Sequence, residues 1–136
     1  MDKLFTVEEA NRSLTLLRPI VQDIMSKMQH AQAIQEQVKR TKNQLLSEKK
    51  ETEVLSALRD AEQLLNEIEY HMKELESIGV MLRDFTYGLV DFPAMINGTQ
   101  AYLCWKFDEA SVAYWHEANV GFEGRQPLST LQKAAL

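Results

Sequence analysis

The sequence has few of the features that narrow a function. It holds a single cysteine, Cys104, so no intrachain disulfide can staple the fold. No uninterrupted apolar run approaches the roughly 20 residues that a membrane-spanning helix needs. The opening Met1-Asp-Lys-Leu-Phe-Thr6 lacks the basic region and apolar run of a signal peptide, so a cytoplasmic location in a reducing cytosol is expected. Basic residues are outnumbered by acidic ones, 15 to 20, and the net charge of -5 argues against a general nucleic-acid or anionic-membrane surface. Internal repeats, low-complexity segments, a Walker loop and the spaced ligands of a zinc motif are all missing. The sequence therefore names no cofactor and no metal.

With 136 residues and 45% apolar content, the chain suits one domain with a single modest core. Thr6-Val-Glu-Glu9 has the form of a capping box, which predicts a helix from Val7. From there Leu14, Leu17, Val21, Ile24, Met28 and Ala31 step by threes and fours, and the frame continues through Gln35, Val38, Lys42 and Leu45. Pro19 predicts a kink near Leu16 or a break, the kink fitting better because the apolar frame keeps phase. After the polar patch Ser47-Glu-Lys-Lys-Glu-Thr52, with cap-capable Ser47 and Thr52, a return helix runs through Val54, Leu58, Ala61, Leu65, Ile68, Met72 and Leu75. Gly79 is placed to end it in the left-handed conformation. Two such helices form an antiparallel arm of about 60 Å.

Beyond Gly79 the period becomes two. Strands are expected at residues 80–84, 89–95, 99–107 and 111–117, with Asn97-Gly98 as a two-residue hairpin turn and Pro93 at an edge or irregularity. That turn pairs Ile96 with Thr99, Phe92 with Leu103, Asp91 with Cys104 and Val90 with Trp105. Val90, Phe92, Ala94, Ala101, Leu103, Trp105 and Phe107 then share a face that packs on the base of the helical hairpin. Placing Phe107 opposite Val112 adds Tyr114 and His116 to that inner face, and leaves Asp91, Tyr102, Cys104, Lys106, Trp115 and Glu117 outside.

On this register His116 faces the start of the first helix, where it could serve as a ligand or general base and would pair with Glu9; a core-edge histidine bonded to a carboxylate is the plainer account, and outward projection beside Asp91 is the alternative placement. Outside, Asp91, Cys104, Lys106, Trp115 and Glu117 read as a small polar site floored by an aromatic, or simply as a solvated sheet face. Cys104 makes a poor nucleophile, because its carboxylate neighbour raises the thiol pKa. Trp115 is expected to be exposed, and so to report on contacts. Gly121-Phe-Glu-Gly-Arg125 could form an anion-binding turn, or Arg125 could pair with Asp91 or Glu117. At the hairpin tip Lys39, Arg40, Lys42, Lys49 and Lys50 against Glu48 make a local charge of +4, but no aromatic is interleaved for base stacking.

Phe5-Thr-Val-Glu-Glu-Ala-Asn11, Gly88-Leu-Val-Asp-Phe-Pro93, Leu103-Cys-Trp105, Tyr114-Trp-His116 and Gly121-Phe-Glu-Gly-Arg125 follow one another over nearly the full chain. On these five motifs the chain resembles the bacterial family catalogued as domain of unknown function 2203. The resemblance implies a small bacterial protein without an established activity, in a family some of whose members carry cell-division labels. Phe107-Asp-Glu-Ala-Ser111 stands where the family form is a glycine-glutamate turn, a departure that bears on the register of the last strand.

The expectation is an α+β protein of one domain: a helical hairpin over residues 1–78, a β-meander with a Gly-rich loop over 79–127 and a frayed tail over 128–136. Strands that follow both helices, and do not join them, separate it from a prefoldin-like chaperone. Leu16, Ile20, Met25, Ile34, Leu55 and Leu64 lie beside the seam, so the arm is expected to pair with a second hairpin in a homodimeric, non-enzymatic interaction module, one that could also take a protein partner. The alternative is a metal- or small-anion-dependent enzyme at the sheet–helix junction, drawing on Glu9, Asp91, His116, Glu117 and Arg125.

Overall fold

The computed structural model describes residues 3–44 and 48–131, and the side chains of all of these but 48 and 49. The expected cap at Ser47, the side chains of Glu48 and Lys49 at the tip, and residues 132–136 of the tail lie outside the described residues.

Helix α1 (Val7–Lys42) opens on the capping box: Thr6 Oγ1 accepts the Glu9 amide and Glu9 Oε1 accepts the Thr6 amide, both at 3.0 Å. Acidic Glu8 and Glu9 in its first turn and basic Lys39, Arg40 and Lys42 in its last complement the helix dipole. The helix continues through Pro19. Both Pro19 and Thr15 are exposed, so the Thr15 carbonyl that loses its helical donor can be satisfied by water.

Helix α2 (Glu48–Ile78) ends in a Schellman motif. Gly79 sits at φ +97°, its amide donates to the Glu76 carbonyl at 3.0 Å, and the Val80 amide donates to the Leu75 carbonyl at 3.2 Å. Val80 and Leu75 are both buried and supply the apolar contact that accompanies this cap. Along the arm Leu17, Ile24, Ala31 and Val38 of α1, and Val54, Ala61, Ile68 and Leu75 of α2, are buried, one per heptad from each helix. The alternate positions Leu58 and Leu65, expected in the seam, are 39% and 41% exposed. Two helices alone cover one full row each.

Five antiparallel strands, β1 (Met81–Asp84), β2 (Leu89–Ile96), β3 (Thr99–Lys106), β4 (Tyr114–Glu117) and β5 (Gln126–Pro127), form a sheet in sequential order. Asn97 at φ 55° and Gly98 at φ 76° turn the β2–β3 hairpin, and its pairs from Ile96–Thr99 to Val90–Trp105 are those the turn predicts. Pro93 lies where β1 has already ended; the Pro93 carbonyl accepts the Phe5 amide at 2.7 Å, so the N-terminal segment fills the gap.

The β3–β4 register differs from the expected one by a single residue. Cys104 pairs with Tyr114, Leu103 with Trp115 and Tyr102 with His116. The cause is the long connection over residues 107–113, in which a turn that bonds the Glu109 amide to the Lys106 carbonyl at 2.8 Å is followed by a segment held to α1. Glu109 Oε1 accepts the Lys106 amide at 2.8 Å and the Glu109 carbonyl accepts Trp105 Nε1 at 2.9 Å. From α1, Asn11 Oδ1 accepts the Val112 amide at 2.7 Å and Arg18 donates to the Ala110 carbonyl at 2.6 Å. A one-residue shift exchanges faces. Trp115 is therefore buried in the core and His116 is turned away from the helices, the reverse of the expectation for both.

Val90, Phe92, Ala94, Leu103, Trp105 and Trp115 pack against Leu14, Leu17, Val21 and Ile24 of α1 and Ile68 and Leu75 of α2, which seats the sheet at the base of the arm. Gly88, at φ +69°, lies close against α1: a Cβ there would lie 2.7 Å from Met25 Sδ and 2.8 Å from Phe107 Cβ. The segment after β4 is more ordered than a loop and frayed tail. It makes a 3₁₀ turn at Phe122–Gly124 and then β5, and Leu128 and Leu131 pack on the core.

Candidate metal centre

The outward face of the sheet carries the chemistry. Asp91 on β2 pairs with Cys104 on β3, and His116 on β4 sits one position further along, opposite Tyr102. One ligand-capable atom from each of Asp91, Cys104 and His116 lies within 4.8 Å of the other two, and all three residues are buried. They stand on a cavity of about 370 Å³, walled by Arg83, Leu89 and Tyr102 on the sheet and by residues 118–122 of the following loop. A second cavity of about 410 Å³ beside α1 is lined by Gln22, Met25, Met28, Phe85, Phe107 and other uncharged residues, and offers no acid or base.

The hydrogen bonds of His116 constrain what can occupy the centre. Its Nδ1 lies 2.8 Å from the Glu117 carbonyl, which only accepts, so Nδ1 carries a proton. Nε2 lies 3.0 Å from Asp91 Oδ1. In the neutral imidazole Nε2 is also an acceptor. Two acceptors at this distance need either a shared proton or a metal ion between them. The Nδ1–H bond to a backbone carbonyl is the arrangement that fixes a metal-binding histidine with Nε2 as donor atom. Arg83 Nε donates to Asp91 Oδ2 at 3.0 Å and orients that carboxylate.

Cys104 supplies sulfur. Burial first, and then the Asp91 charge, push its thiol from 9.0 up to about 12, so at neutral pH it is no nucleophile; only a bound cation would ionise it. Tetrahedral zinc, with bonds of about 2.0–2.3 Å, sets its ligand atoms roughly 3.3–3.8 Å apart. For the three atoms to meet such an ion, the Asp91–His116 contact would open by a few tenths of an ångström and any separation near the 4.8 Å limit would close by about an ångström.

Of the other residues singled out in the sequence, Arg125 stands beside Cys104, where its charge and hydrogen bond oppose the upward push on the thiol, and the rest lie elsewhere. Glu9 is in the capping box, its pKa lowered by the Thr6 backbone and side-chain hydrogen bonds, and does not meet His116. Glu117 contributes its carbonyl, while its side chain is exposed. Arg125 pairs with neither Asp91 nor Glu117 but through both terminal nitrogens with Glu109, at 2.9 and 2.7 Å, stacked between Tyr114 and Phe122. Burial opposes that charge, but the hydrogen bonds and charge of Glu109 outweigh it and raise the Arg125 pKa. Lys106 pairs with Asp108 at 3.5 Å. Sequence reasoning placed Asp91 beside Cys104 but set His116 beside Asp91 only as the alternative to an inward placement, and missed Arg83 altogether; the misplaced β4 register demoted the first and a β-bulge hid the second.

Among the described residues no helix is long and apolar enough to cross a membrane. No curated protein and no solved structure matches the chain. The five sequence motifs lie inside the stretch, residues 3–128, matched by a family model described as "Uncharacterized conserved protein (DUF2203)", and the chain belongs to that family.

Proposed function

We propose that the protein is a metal-dependent one, binding a single divalent transition-metal ion, best zinc, through Asp91, Cys104 and His116. The observation that carries this reading is the pair of acceptors meeting at Asp91 and His116 with a buried sulfur beside them. Mixed nitrogen, sulfur and oxygen donors suit zinc better than the harder calcium or magnesium. Three protein ligands leave a fourth position free, which is the pattern of catalytic and not of structural zinc. Here that position borders the cavity, where a bound ion could polarise a substrate oxygen or activate water. The site lies on the far side of the sheet from the helices, and not at the sheet–helix junction.

Metal analysis of protein purified without a histidine tag tests this. One equivalent of metal, retained by the wild type and lost from His116→Gln and Cys104→Ser, is the expected result. Protein that neither retains metal nor binds added zinc at micromolar concentration would leave a shared proton between His116 and Asp91 and end the metal reading.

A second reading concerns the arm. Leu55, Leu58 and Leu65 on α2 are 56%, 39% and 41% exposed, and Leu16 on α1 is 56% exposed, an apolar surface that a second hairpin would cover. It supports self-association as an interaction module alongside the metal centre. Light scattering after size exclusion decides it: a monodisperse monomer at tens of micromolar removes the dimer.

A further inference from the structure

We infer that the cavity beside Asp91, Cys104 and His116 takes a small carboxylate, held by the metal on one side and by Arg83 on the other. The inference rests on the metal reading of the same site. Arg83 is the extra residue of a β-bulge: Leu82 pairs with Val90 and Asp84 with Leu89, leaving Arg83 between them without a partner in the ladder. Bulges of this kind re-aim a side chain. Arg83 Nε is fixed on Asp91 Oδ2 at 3.0 Å, and its guanidinium carbon lies 5.4 Å from the Tyr102 ring centroid. Among the described residues no protein acceptor bonds its two terminal nitrogens, although Arg83 lines the cavity. A guanidinium anchored along one edge presents a planar pair of donors at the other, the geometry that a carboxylate matches.

Charge selects the same ligand. A divalent ion, the Asp91 carboxylate, a metal-bound Cys104 thiolate, neutral His116 and the Arg83 guanidinium leave a net charge of about +1, which one carboxylate neutralises. Arg125 and Glu109, which pair with each other beside Cys104, cancel in the count. A volume of about 370 Å³ is near the lower end for ligand sites, so the ligand is small. Leu89 and Phe122 provide an apolar wall for its remainder.

Cobalt(II) is the probe. Its visible spectrum reports both thiolate coordination and a change of ligand at the fourth position. Cobalt-loaded protein is titrated with acetate, benzoate, neutral benzamide and inorganic phosphate, and the series is repeated on Arg83→Gln and Arg83→Lys. The carboxylates should shift the spectrum saturably, benzamide should not, and phosphate should bind more weakly. On cobalt-saturated protein, with the cobalt affinity of each variant measured separately because Arg83 also orients Asp91, Arg83→Gln should weaken carboxylate binding roughly tenfold to a hundredfold, and Arg83→Lys should fall between. A spectrum that shifts with no carboxylate, or equally with benzamide, overturns the inference while the metal reading stands. Tighter binding of phosphate overturns the carboxylate assignment. Protein that takes up no cobalt removes the metal reading and this inference together.

Discussion

His116 Nε2 lies 3.0 Å from Asp91 Oδ1 across the outer face of the sheet, joining strands β2 and β4 that share no backbone ladder. Both side chains are 5% exposed, so solvent does little to replace the contact. His116→Ala leaves the buried carboxylate with only the half-exposed Arg83 and is expected to cost on the order of 1–3 kcal/mol. The comparison is a denaturant titration of metal-free wild type and mutant near neutral pH. An unchanged midpoint would contradict the burial and pairing of His116.

Trp115 is 8% exposed, yet its Nε1 is buried and has no hydrogen-bond partner. Its two parts therefore act in opposite directions. Trp115→Ala removes a large packed side chain and is expected to cost about 3–5 kcal/mol. Trp115→Phe keeps most of the packing and removes the unsatisfied donor, so it is expected to cost less than about 1.5 kcal/mol. Chemical denaturation of the two variants measures the difference, and equal losses would locate a partner for the indole.

Two glycines with positive φ separate strain from crowding. Gly98→Ala (φ +76°) meets open space and pays backbone strain of about 1–2 kcal/mol. Gly88→Ala (φ +69°) adds collisions with Met25, Phe107 and Val21, and is expected to cost a further 1–3 kcal/mol, roughly. Thermal melts of both variants give the comparison. Equal destabilisation would mean that the sheet is not pressed against α1 at Gly88.

The capping box supplies a pH dependence. The hydrogen bonds of the Thr6 backbone and side chain hold the Glu9 carboxyl below its usual 4.5. A carboxylate with a lowered folded pKa contributes stability that is present above about 4.5 and is lost as pH falls through the folded value. The wild type should therefore exceed Glu9→Gln in melting temperature at pH 7, and the gap should close toward pH 3. A gap independent of pH would show that the Glu9 charge does not act at this cap.

Local signals were legible where their cause is local. Thr6 and Glu9, Gly79, and the Asn97-Gly98 turn each carry their geometry in a few adjacent residues, and with them come both helices, the β2–β3 pairing and the contact of Asp91 with Cys104. The β3–β4 connection is set by Asn11 and Arg18, about a hundred residues away in the chain, and by Glu109, which also holds Arg125. Nothing in Phe107-Asp-Glu-Ala-Ser111 taken alone announces those partners, so the strand was placed one residue out and His116 and Trp115 exchanged sides. Arg83 was hidden for a related reason: a bulge leaves the two-residue alternation of a four-residue strand unreadable.

The Phe5 amide on the Pro93 carbonyl also bears on aggregation. A foreign strand approaching β2 beyond β1 would find a residue with no donor and an acceptor already taken. The remaining margins are no more hospitable: β1 has four residues including charged Arg83 and Asp84, and β5 has two, one of them Pro127. Short, charged and proline-bearing margins are how β-proteins avoid recruiting one another into fibrils. Among the described residues the margins of this sheet are poor templates for growth by neighbouring copies.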